Sequence, residues 1–213
     1  MQSAPAEPSR ADLEPPRQRP ACQPVVPGSV RLLLDLCAEG VTLTSGGRLP
    51  RAVVRQVQLQ RPQWGWAQDQ PARIEEDLLP LAMLHELLRK AHLLRLAHGV
   101  LTTTKAAASD AEAVRRLRAG LFDRSFHGQL CHLLLDTLSN IDEVAEAVLV
   151  DAALLRLTPE WRRQDRPLEH LDVRVAVGRA HHDLIGLDAI TTSGSLLRDS
   201  WSITAEGRAL LPA

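Results

Sequence analysis

The chain has 213 residues, 45% of them hydrophobic and 24% charged, with a formal net charge of -1 and a pI near 6.7. That apolar fraction fills one large or two small cores and excludes disorder throughout, while the near-neutral balance excludes a general attraction to polyanions, so contact with nucleic acid must be local. Aromatic residues amount to 3% and Tyr is absent, which leaves Leu, Val and Ala to build the interior and favours helix over sheet.

Residues 1–27 hold seven of the fourteen prolines among Arg, Glu and Gln, too little apolar surface to offset the entropy of ordering, and they read as a disordered tail. From Gly28 the pattern changes. Val30, Leu33, Leu34 and Cys37 recur at helical spacing and stop at Gly40. "VTLT" alternates as a strand, "SGG" turns, and Pro50 opens a second helix carrying Val53, Val54 and Val57. After a Pro- and Gln-rich loop, Leu78, Leu81, Leu84, Leu88 and Ala91 predict a third helix, with Pro80 in its first turn. "LLRLA", "HG" and "VLTTT" then read as strand, tight turn, strand.

The second half repeats the theme. Ser109 or Asp110 caps a connecting helix, "SFHGQLCHLLLDTLS" and "NIDEVAEAVLVDAALLRL" read as two more, and "TPEWRRQDRP" reads as loop. A long helix ending at Gly186, a hairpin from "LDAITT" to "WSIT" and a last helical turn "AEGRALL" complete the chain. The expectation is a mainly α fold with small antiparallel hairpins, arranged as tandem winged-helix-like units over 28–108 and 109–213. Three segments, at Leu43-Thr44, Leu101-Thr102 and Ile203-Thr204, share an apolar-Thr pattern that predicts a strand handing over to a helix; in the middle copy Lys105 stands where Gly is expected.

"LLDLCAEGVTLTSGGRL", followed by "LLPLAMLHELLRKAHLLRLAHGVLTTTKAA", resembles the C-terminal region of the TnpR-type passenger family of mobile elements, also called plasmid ORF-3-like proteins, and related actinobacterial proteins. "ITAEGRALL" is similar to the LTxxGRxLL close of that family. The resemblance covers roughly residues 30–125 and, more weakly, 180–213, and it implies architecture rather than activity. Lys occurs only at Lys90 and Lys105, and an Arg-, Ala- and Leu-rich chain points to a GC-rich bacterial genome.

Catalytic motifs were sought and not found. "HELLR" from His85 has Arg89 where a zincin needs its second His, and His127 with Cys131 offers two ligands on one helix face without a third or fourth. Cys22, Cys37 and Cys131 are too widely spaced for a zinc knuckle and read as reduced thiols. "SGG" and "SGS" lack a phosphate-loop context. The chain therefore reads as a non-enzyme with no metal or cofactor. The lack of a signal-peptide core or a long apolar run predicts a cytoplasmic protein with no membrane partner.

Residues 28–108 carry ten Arg or Lys against seven Asp or Glu, and 109–213 carry twelve against sixteen. The candidate nucleic-acid contacts are Arg48, Arg51 and Arg55 around the second helix, Arg174 and His181 on the long helix, and Arg198 at the tip of the second hairpin. Glu75-Glu76-Asp77 ahead of the third helix is expected to repel a DNA backbone. Two functions follow: a DNA-associated regulatory module whose partner is duplex DNA, or a homodimerisation or protein-interaction module that does not bind DNA.

Overall fold

A computed structural model describes residues 25–65, 70–163, 166–194 and 199–212. Most of the predicted tail lies outside them, but Val26 and Pro27 are buried, so the packed chain begins before Gly28. The structure is mainly helical with small antiparallel sheets. Among the described residues no helix is long and apolar enough to cross a membrane.

One order of elements occurs twice. The first copy runs α1 (Gly28–Leu36), β1 (Val41–Thr42), α2 (Arg51–Gln60), α3 (Leu79–Lys90), β2 (Leu94–Ala97) and β3 (Val100–Thr103). After the linking helix α4 (Asp110–Leu121), the second runs α5 (Phe126–Asn140), β4 (Val144–Ala145), α6 (Glu146–Leu157), α7 (His170–Gly186), β7 (Ile190–Ser193) and β8 (Ser200–Ile203). Between α6 and α7 a two-strand ribbon forms from β5 (Arg162–Arg163) and β6 (Arg166–Pro167), where a loop was expected, and α8 (Ala205–Leu210) ends the chain.

The repeat extends to hydrogen bonding. Each three-stranded sheet places the last strand in the centre, in the orders β1-β3-β2 and β4-β8-β7, with matching registers: Val41 opposite Leu101 and Val144 opposite Trp201. His92 and Asp188 both take positive φ after the third helix, at 54° and 52°. Thr104 N donates to Leu93 O at 3.0 Å and its hydroxyl to His92 O; Thr204 N donates to Ala189 O at 3.0 Å and its hydroxyl to Asp188 O. Thr104, not Thr102, is thus the counterpart of Thr204, and Ala107 rather than Lys105 takes the place of Gly207. Gly207 is needed there, since a Cβ would lie 2.1 Å from Ala189 O. At Thr44 the motif does something else: its backbone N donates to Arg48 O and closes a turn well before α2.

One expected helix is shorter than its pattern. Helical periodicity from Asn140 gives way to β4 at Val144 and Ala145, because these residues pair with Trp201 and Ser200 and supply the third strand of the sheet. The helix begins only at Glu146.

The third helices of the two copies pack directly on one another, the most extensive contact between any two helices. Gly186 makes this approach possible: a Cβ there would stand 2.6 Å from Pro80 O and 3.5 Å from Leu84 Cβ. Asp188 ties the copies again, accepting from Ser29 N at 2.8 Å, at the start of α1, and from Arg61 Nη2 at 2.9 Å. Gly186→Val is expected to force α3 and α7 apart and to lower unfolding free energy by about 1–3 kcal/mol, read as a lower urea midpoint at unchanged slope.

Candidate functional site

The residues expected to touch nucleic acid differ in burial and in partners. Arg51 and Arg55 lie one turn apart on α2, exposed and without an ion-pair partner among the described residues. Arg48 is paired instead with Glu76 at 2.6 Å. Arg174 is exposed on the outward side of α7, and Arg198 lies outside the described residues. His181 is half-buried, its ring 4.8 Å from that of Trp201, which is itself fully buried. Burial, and then neighbouring His182, push its pKa down to about 4. A neutral ring packed against Trp201 brings no charge to a phosphate.

The acidic run ahead of α3 also behaves differently from the expectation of a repulsive face. It forms a 3-10 turn, Glu75–Asp77, in which each side chain is engaged. Glu75 is 3% exposed; one carboxylate oxygen accepts from Leu49 N at 2.9 Å and the other hydrogen-bonds His85 Nδ1 at 2.8 Å. Asp77 accepts from the backbone N–H groups of Arg73 and Ile74, which lower its pKa. Glu75 and His85 are ten residues apart in sequence, and only the turn between them brings their side chains into contact.

His127 bonds Asp183 at 2.8 Å, and Cys131 Sγ lies 3.5 Å from the same imidazole nitrogen. Burial, first, and the Asp183 charge hold the Cys131 thiol far above its ordinary range, which disfavours the thiolate. Among the described residues no group of three or more His, Cys, Asp or Glu is placed to hold a metal ion.

Two clefts occupy equivalent positions in the two copies, each between the third helix and the following strand. The first, about 1010 Å³, is lined by α3, β2, the 3-10 turn Lys105–Ala108 and Arg116 of α4. It carries six cationic side chains: Arg48, Arg89, Lys90, Arg95, Lys105 and Arg116. Arg48 is held by Glu76, Lys90 by Asp123 at 2.7 Å and Arg116 by Glu112 at 2.7 Å, whereas Arg89, Arg95 and Lys105 have no acidic partner among the described residues. Of the acids in the wall, Glu75 is engaged by His85 and Glu86 faces Arg179 at 3.5 Å. The second cleft, about 670 Å³, is lined by His181, His182, Ile185, Ile190 and Thr191 of its own copy and by Trp64 and Pro80 of the other. The first cleft was not legible in the sequence because its cations without acidic partners come from α3, β2 and the turn after β3, with no local motif.

Searches against family models, curated proteins and solved structures found no match for this chain.

Two outcomes test this geometry. Glu75→Ala strips the partner from Leu49 N–H and His85 Nδ1, each worth roughly 1–3 kcal/mol when left buried and unpaired, while Glu75→Gln keeps an acceptor for Leu49 and loses less in urea titration. His181 binds its proton less readily folded than at its ordinary value of 6.5, so stability is lost as pH falls from 6.5 toward about 4. The urea midpoint should fall across that window, and less steeply in His181→Gln.

Proposed function

We propose that the chain is a protein-interaction module of two winged-helix-like units that self-associates through the outward face of α6 and α7. The observation that carries this reading is the character of the helix that would otherwise read DNA. Leu171 and Val175, one turn apart on α7, are each 67% exposed, and on α6 Val148 and Leu155 are 53% and 77% exposed. Asp151 of α6 and His170 of α7, 3.7 Å apart, set the two faces side by side. An exposed apolar surface of this kind gains by leaving water and has nothing to offer a phosphate backbone. Asp151 and Arg174 put both signs of charge within the same surface, which suits pairing with a second copy about a two-fold axis. The contact of α3 with α7 supports the same reading, because it withdraws part of both third helices from a major groove. The resemblance to TnpR-type passenger proteins implies architecture only and is neutral on the partner.

Sedimentation velocity tests the proposal. The expected result is a dimer that Leu171→Asp plus Val175→Asp converts to monomer while the far-ultraviolet circular dichroism is kept; a monomer at high micromolar concentration overturns it. A second reading, association with duplex DNA, is favoured by the unpaired Arg51 and Arg55. It predicts duplex binding that weakens steeply with salt and falls further in Arg51→Ala plus Arg55→Ala, measured by fluorescence anisotropy.

A further inference from the structure

The two equivalent clefts allow an internal comparison. Their backbones match, with the third helices ending in the same positive-φ turn and the following strands in the same register, so residue-by-residue differences are not requirements of the fold. Arg89 of the first copy corresponds to Ile185 of the second, Arg95 to Thr191 and Lys105 to Ala205. All three cations that lack an acidic partner are therefore specific to the first cleft. The third-helix histidine is present in both, but it is used differently. His181 stacks on Trp201, whereas His85 is 5% exposed, is fixed through Nδ1 by Glu75, and leaves Nε2 buried with no protein partner.

We propose that the cleft between α3 and β2 is a binding site for a small polyphosphate anion, held by Arg89, Arg95 and Lys105. Three cations from three separate elements converge on one cavity, an arrangement that surrounds a chain of phosphates rather than pairing with one carboxylate. Of the three acids in the wall, Glu76 is paired with Arg48, Glu86 faces Arg179, and Glu75 is buried with its carboxylate turned to Leu49 N–H and His85. Lys105 and Ala106 of the turn Lys105–Ala108 and Arg116 of α4 line the cleft, whose volume of about 1010 Å³ admits a small ligand. His85 stands in the same wall, held through Nδ1 by Glu75.

Isothermal titration of the full chain with inorganic triphosphate, at low ionic strength and against sodium chloride of matched ionic strength, tests the proposal. Saturable binding is expected, with a melting temperature that rises with triphosphate concentration. Arg89→Gln, Arg95→Gln and Lys105→Gln combined should weaken it at least about tenfold. Arg51→Ala plus Arg55→Ala and Leu171→Asp plus Val175→Asp should leave it unchanged, which separates this site from duplex association and from self-association. A nucleoside triphosphate that binds as well as or better than inorganic triphosphate also supports the site and identifies the form of ligand. No binding, undiminished binding in the triple variant, or displacement of triphosphate by duplex DNA overturns the proposal.

Discussion

The approach of α7 to α3 governs the outward form of this molecule. Each copy could bury its own apolar stripe, through Leu81, Leu84 and Leu88 in one and Val177, Ala180 and Leu184 in the other. What joins them is a second stripe on the same helices, where Gly186 removes a side chain and lets one backbone reach the Pro80 carbonyl of the other. A helix in contact on two sides keeps only one free. For α3 that free side faces β2 and lines the cationic cleft; for α7 it divides into an exposed apolar half near Leu171 and Val175 and a half-buried end near His181.

The two copies share backbone geometry and differ in the chemistry around that contact. The turn after the third helix, the Thr that closes the following hairpin and the three-strand register are shared, since each satisfies backbone groups that would otherwise be orphaned. Side chains that satisfy nothing in the backbone differ between the copies. The first copy carries Arg89, Arg95 and Lys105 where the second has Ile185, Thr191 and Ala205. Asp188, which stands in place of His92, has a structural task and joins α1 and Arg61 of the first copy to the second.

Buried polar groups show the same economy. Glu75 serves two donors, Leu49 N–H and His85 Nδ1, and so holds the chain ahead of α2 against α3. Arg208, in the closing segment, donates to Ser139 O at the end of α5, and Arg118 of α4 donates to Ala209 O in α8. Each bond links elements remote in sequence, which is why the acidic and basic runs containing them read as ordinary solvated surface along the chain.

Local order was legible in the sequence. Helical spacing from Val30, Pro50 and Leu78, the "HG" turn, Ser109 as a cap and the hairpin around Ile190 are all where periodicity and turn chemistry put them, because each depends on neighbours within a few residues. The strand at Val144 was not legible, since its partner Trp201 is more than fifty residues away and overrides the helical pattern around it. Nor was the candidate site. Exposed Arg51 and Arg55 could be named from α2 alone, but the burial of His181 under Trp201, the inward turn of Glu75 and the meeting of Arg89, Arg95 and Lys105 are decided by packing. Periodicity along one chain specifies which face of a helix is apolar; only the tertiary structure decides what that face meets and which charges are left without a partner.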